Sequence, residues 1–318
     1  MTTPLLAATE LAKTFRVSRG TLRAVDGVTL AIDAGETVGI VGETGCGKST
    51  LARLLLRLLE PTAGNVAFDG EDITHRSQRA LRPLRRDLQI VFQDPFSSLN
   101  PRRSVGAIVG DPLRIHRLGS KEERKTRVRE ALELVGLDPS FSNRFPHQFS
   151  GGQRQRIGIA RALVTRPRVV VADEPVSALD VSIQAQILNL LGTLRRDLGL
   201  TLLVISHDVS VIHHLSDRVA VMYLGKLVEL GPTDELFGSP AHPYTRALLD
   251  AVPVAEAGAP RRRRTGVTGE PPSPIAPPSG CRFRTRCALA QERCALEEPA
   301  LRPVTGRQGS AACHFPLG

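Results

Sequence analysis

The nine residues GETGCGKST (42–50) constrain this chain more than any other stretch. They fit the pattern G-x-x-x-x-G-K-[ST]. They follow the β-branched run TVGIV (37–41) and precede the apolar-periodic LARLLLRLL (51–59), which is the context the pattern requires. Gly42, Gly45 and Gly47 let the backbone curl so that successive N–H groups point inward, and the new helix adds its positive end. Such a loop holds phosphate oxygens. Lys48 is expected to reach the β- and γ-phosphates of a nucleotide and the Ser49 hydroxyl to ligate Mg²⁺, with Glu43, Thr44, Cys46 and Thr50 completing the cradle. Cys46 reads either as a small residue that fits the loop or as a thiol acidified by the helix N-terminus.

A strand feeding a helix implies an α/β fold, and the rest of the pattern agrees. TVGIV, LQIVF (88–92), RVVVA (168–172) and TLLVI (201–205) read as buried strands of a mostly parallel sheet, and LRAVDGVTLAID (22–33) as an antiparallel β segment. From Gln93 to Ser150 the strand signal disappears. There KEERKTRVREALELVGL (121–137) puts Val128, Ala131, Leu132 and Val135 on one helical face, so a helical subdomain inserted at about 94–165 is expected. The nucleotide-binding domain is then 1–253. Residues 254–279, with six prolines, three glycines and no aromatic, read as an extended linker, and 280–318 as a small Cys-rich extension.

RVVVADEP (168–175) ends an apolar strand in two acids. Asp173 is placed to hold Mg²⁺ through water, and Glu174 to polarise an attacking water at the γ-phosphate. The chain carries a net charge of +10, which raises the possibility of a nucleic-acid partner. Aromatics are 4% with no Trp, too few for base-stacking platforms, and the run Arg261–Arg264 reads as a solvated linker. No apolar run approaches the ~20 residues of a membrane-spanning helix, and MTTPLLAATELAKTF shows no secretory signal, so a cytosolic chain is expected.

With these elements in place, FSGGQRQRIGIARAL (149–163) resembles the signature motif of ATP-binding cassette (ABC) proteins, with Phe149 where most members have leucine. The resemblance covers roughly residues 5–250 and implies the P-loop NTPase cassette fold, ATP and Mg²⁺ as ligands, and ATPase activity. It places Phe15 on the adenine, makes Gln93 the Q-loop glutamine that touches Mg²⁺, Asp180 part of the D-loop, and His207 the switch histidine beside Glu174. It further implies that Ser150, Gly151, Gly152 and Gln153 cap the γ-phosphate bound by a partner cassette. Catalysis then rests on Lys48, Gln93, Glu174 and His207.

Longer stretches, QIVFQDPFSSLNPR (89–102), PHQFSGGQRQRIGIARALVTRP (146–167) and 217–253, resemble the ATPase subunits of dipeptide and oligopeptide importers, the first resembling the second of their two paired ATPases. The partners so implied are a related, distinct cassette, two membrane-spanning permease subunits and an extracytoplasmic binding protein, with no nucleic acid. The place implied is the cytoplasmic side of the plasma membrane. Import of nickel or another small solute, and a soluble cassette ATPase acting on nucleic acid, are the alternatives.

Four of the five cysteines, Cys281, Cys287, Cys294 and Cys313, fall in the last segment with spacing C-x5-C-x6-C-x18-C. In a cytosolic chain disulfides are disfavoured, and so short a unit calls for a crosslink. Four thiolates suit Zn²⁺ or a [4Fe–4S] cluster, with Arg282, Arg284, Arg286 and Arg293 offsetting their charge; His314 reads as a neighbour of Cys313 rather than a substitute ligand. The resemblance favours the cluster. On this reading the segment is a separate metal-stapled appendage, set apart from the nucleotide site.

Overall fold

The computed structural model describes residues 3–18, 20–94, 98–251 and 269–318. The arginine run Arg261–Arg264 and the linker up to residue 268 lie outside them. Two sheets form the framework. The antiparallel sheet has the order β2 (Gly20–Ile32), β1 (Leu6–Val17), β4 (Ala63–Phe68), β5 (Glu71–Asp72). It contains the antiparallel segment read from 22–33, together with partner strands the sequence does not announce.

The larger sheet is mixed, with the parallel strands in the majority. Its parallel part runs β9 (Arg218–Tyr223), β3 (Thr37–Val41), β8 (Thr201–Ser206), β7 (Val169–Asp173), β6 (Leu88–Val91). Four of these are the apolar runs named above. Their continuity has a simple cause, since both faces are covered. Val38, Ile40, Val169, Val171, Leu203 and Ile205 face the antiparallel sheet and α1 (Lys48–Leu55). Val41, Val170, Leu202, Val204 and Val221 face a second core that includes the helices. The period-2 alternation therefore sorts each apolar run into two cores.

Between residues 105 and 163 the chain is helical. α2 (Gln78–Leu81) precedes β6, and α3 (Val105–Ile115), α4 (Lys121–Leu134) and α5 (Gly151–Leu163) follow it. Val128, Ala131, Leu132 and Val135 are buried in one cluster with Val105, Ile108 and Ile157. Ser120 caps α4 through a reciprocal capping box with Glu123. α6 (Val181–Leu198), α7 (Val209–Leu215), α8 (Thr233–Gly238) and α9 (Pro243–Asp250) complete the part before the linker.

The C-terminal segment departs from the expected separate appendage. It holds α10 (Glu292–Leu296), β11 (Arg302–Pro303) and β12 (Ser310–Ala311), and β12 pairs antiparallel with β10 (Lys226–Pro232). Glu229 faces Ala311 and Leu230 faces Ser310, so the segment lengthens the main sheet. Phe283 is 3% exposed, with ring centroids 5.4 Å from Tyr223 and 5.3 Å from Tyr244. Arg282 is buried, donating to Asp26 and to the Leu224 carbonyl. The unit cannot bury a core of its own, so it covers part of the main sheet and its helices instead.

Candidate functional site

Gly47 is where the loop is most constrained. It caps α1 at φ +110°, in the left-handed region, and a Cβ there would lie 2.0 Å from the Ala24 carbonyl oxygen. From this turn Lys48 projects back over the loop, 5% exposed, its Nζ donating to the carbonyls of Gly42 at 2.7 Å and Glu43 at 3.0 Å. One residue on, the Ser49 hydroxyl donates to Asp173 Oδ1 at 2.9 Å. Asp173 ends β7, two strands from β3, which feeds the loop. Burial pushes its carboxyl above the usual range, against the pull of the Ser49 hydrogen bond. A divalent cation at this pair would offset that burial.

A second group sits beside the first. Glu174 has φ +48°, uncommon for a residue with a Cβ, and its N–H donates to the Ile205 carbonyl at 2.9 Å. Its carboxylate is bracketed on both sides. Gln93 Nε2 donates to Oε2 at 2.8 Å, and His207 Nδ1 lies 3.2 Å from Oε1. The Gln93 amide thus lies on Glu174, where the sequence reading puts it on Mg²⁺.

Lys48, Ser49, Gln93, Glu174 and His207 line one pocket of about 470 Å³ together with Phe15, Thr44, Gly45, Cys46, Gly47 and Thr50. Leu224 and Gly225 add to its wall, and so does Pro274 from the stretch read as a linker. Cys46 is buried, and burial pushes its thiol up, opposite to the acidified reading; it is a small side chain packed in the loop. Gly42, Glu43 and Asp173 support the pocket from behind through the contacts already given.

The signature residues are placed elsewhere. Ser150 caps α5 in a capping box, its hydroxyl accepting from Gln153 N–H at 3.3 Å and Gln153 Oε1 accepting from Ser150 N–H at 3.0 Å. Gly151 and Gly152 form the first turn, and Asp180 stands at the N-terminus of α6. None of Ser150, Gly151, Gly152, Gln153 or Asp180 is among the residues lining the pocket.

The four C-terminal cysteines do meet. Cys281, Cys287, Cys294 and Cys313 line one small cavity with His314, walled by Phe283, Leu289 and Phe315. Among the described residues no group of three or more His, Cys, Asp or Glu is arranged to hold a metal ion. Burial pushes Cys281 and Cys287 up, and Cys313 to about 11. The arginines expected to offset the thiols have other partners: Arg282 pairs with Asp26, Arg286 with Glu43, Arg293 with Glu297, and Arg284 donates to the Ser279 carbonyl. His314 lies 3.0 Å from the Glu297 carbonyl.

Comparison with known proteins agrees with this geometry. The ABC transporter family profile matches residues 25–177, and the profile "Oligopeptide/dipeptide transporter, C-terminal region" matches 228–294. A putative peptide import ATP-binding protein of Brucella ovis is 53% identical over 302 residues, 95% of each chain. The oligopeptide transport ATP-binding protein AppF of Bacillus subtilis is 51% identical over 303 residues, 95% of this chain and 92% of its own. Among solved structures, a dimeric ATP-binding cassette in a post-hydrolysis state with ADP and Pi has a TM-score of 0.66. It is 33% identical and covers 72% of this chain and 98% of its own.

Proposed function

Since the chain belongs to the ATP-binding proteins of peptide-importing ABC transporters, we propose that it hydrolyses ATP as one cassette of a peptide importer. The observation that carries this reading is the meeting of two groups in one pocket. Lys48 with Ser49–Asp173 forms a phosphate-facing group, and Gln93–Glu174–His207 forms a water-facing one. Mg²⁺ carried with ATP would sit on the Ser49 hydroxyl and, through water, on Asp173, offsetting charge on the β- and γ-phosphates.

The chain's own residues supply the remainder. Lys48 leaves its loop carbonyls for the phosphate oxygens. Glu174 takes a proton from the attacking water, whose oxygen forms the new bond to the γ-phosphorus as the bond to ADP breaks. His207 and Gln93 hold that carboxylate in line. Phe15 offers its ring to the adenine. The capped N-terminus of α5 lies outside its own pocket. We therefore assign Ser150 to Gln153 to the γ-phosphate of a second cassette facing head to tail, with Asp180 near the same interface.

The partner cassette is a related, distinct chain, and both dock on two permease subunits fed by an extracytoplasmic binding protein. Supporting this, α3 and α4 leave a groove lined by Ser104, Ala107, Gly110 and Val128, with Arg103, Arg114 and Arg124 at its rim. No helix among the described residues is long and apolar enough to cross a membrane, so a peripheral position at the cytoplasmic face of the inner membrane requires those partners. Peptide is the solute the relatives' names support.

For the C-terminal thiols we propose an iron–sulfur group, with Zn²⁺ as the alternative. What supports it is that the four thiols line one cavity, a donor set that suits either group. Iron and zinc analysis of the anaerobically purified chain decides between them. A colourless preparation free of both metals removes the proposal.

Two variants test the nucleotide reading. Lys48→Ala loses MgATP binding in the purified chain. Glu174→Gln keeps binding, drops hydrolysis to near background and accumulates a closed dimer. Turnover near wild type for Glu174→Gln in the assembled transporter overturns the role of Glu174.

A further inference from the structure

Residue 43 of the phosphate loop is tied at every polar atom. Its N–H donates to the Tyr244 hydroxyl at 3.0 Å, and its carbonyl accepts from Lys48 Nζ at 3.0 Å and from the Cys46 N–H at 3.2 Å. Its carboxylate is gripped by both arms of Arg286, Nη1 on Oε2 and Nη2 on Oε1, each at 2.9 Å. Arg286 comes from the C-terminal segment, 243 residues away in the chain, and its side chain is only 6% exposed. It also donates to the Tyr223 hydroxyl at 3.2 Å, and its own N–H donates to the Phe283 carbonyl at 2.9 Å. Tyr223, Tyr244 and Phe283 form the aromatic bed that seats the segment on the cassette.

The placement raises an electrostatic question. A carboxylate in a loop that receives a polyphosphate repels its ligand unless a cation answers it, and the repulsion is strong where water is excluded. Glu43 is three-quarters buried, its side chain 25% exposed. A bidentate guanidinium both cancels the charge and fixes the orientation of the residue whose carbonyl receives Lys48.

We propose that Arg286 is a positioning residue of the nucleotide site: it neutralises Glu43 and holds the phosphate loop in the form that accepts MgATP. The C-terminal segment is then a working part of the cassette, and the stretch leading into it places Pro274 on the pocket wall. The inference rests on residues 42–50 binding MgATP, as proposed above.

MgATP titration of the purified full-length chain tests it, together with KM and kcat in the assembled transporter. Arg286→Gln should weaken MgATP binding about ten-fold, raise KM and leave kcat nearly unchanged, because an unanswered anion now stands behind the loop that receives the phosphates. Arg286→Lys, which keeps the charge without the fork, should fall between the two. The double variant Glu43→Gln/Arg286→Gln should recover most of the lost affinity, since the repelling anion is gone. A contact that only braces the fold would make the double variant as weak as Arg286→Gln or weaker. That result, or wild-type affinity in Arg286→Gln, overturns the proposal. If Arg286→Gln does not fold, Arg286→Lys against Glu43→Gln/Arg286→Lys gives the same comparison. If the wild-type chain binds MgATP no better than Lys48→Ala, the nucleotide reading itself fails and this inference falls with it, whereas normal wild-type binding with an unaffected Arg286→Gln overturns this inference alone.

Discussion

At the scale of single residues, the site depends on a few backbone positions with no tolerance for change. A Cβ at Gly47 would strike the Ala24 carbonyl at 2.0 Å in a conformation that favours glycine. Gly47→Ala should therefore abolish MgATP binding more completely than its effect on stability explains, as titration beside a denaturant melt will show. His207 differs in kind. It is half exposed and touches the Glu174 carboxylate. His207→Ala should keep nucleotide affinity while hydrolysis falls by about a hundred-fold or more, measured as kcat in the assembled transporter. The roles of Lys48, Ser49 and Asp173 follow from adjacent residues and were legible in the sequence. His207 beside Glu174 was implied by the resemblance, but the Gln93 contact was not, because Gln93 reaches that carboxylate from beyond a different strand.

At the scale of elements, two helices start with the same chemistry for different ends. Ser120 caps α4 and Ser150 caps α5, each in a reciprocal capping box. Replacing either serine with alanine should cost about 1 kcal/mol in unfolding free energy. Only Ser150→Ala should also lower ATP hydrolysis in the assembled transporter, because its helix end is the one assigned to a second nucleotide. Equal ATPase loss in both variants would mean that stability alone is being read. The helical face of α4 was readable from spacing, and the sheet strands from composition. The partners of β1 and β10 were not, since pairing is chosen by which edges meet once both cores close.

At the scale of the whole molecule, the C-terminal segment is held by three kinds of contact: the β10–β12 pairing, the Phe283 aromatic seat and the part-buried Arg282–Asp26 pair. Phe283→Ala should cost about 3–5 kcal/mol by denaturant unfolding. Burial pushes the Asp26 carboxyl up, but the hydrogen bond and charge of Arg282 outweigh it and hold it below its ordinary 3.8. The unfolded chain therefore binds that proton first, so the contribution is present above about pH 4 and is lost as pH falls through the folded value. Asp26→Asn should be less stable than wild type by about 1–3 kcal/mol at pH 7, with the gap closing below pH 4. A gap that does not change with pH would show that the ion pair is not its source.

Contiguous residues by themselves determined the phosphate loop, the acid-ended strand, the alternation of strand and helix and the crowding of four cysteines, because each is a property of neighbours along the chain. Only the tertiary structure decided that Arg286 answers Glu43, that Ser150 lies outside its own pocket and that the last segment is part of the main sheet. Those choices join residues far apart in sequence. They are set by which apolar surfaces must be covered, and no local pattern records the partner that a buried charge will find.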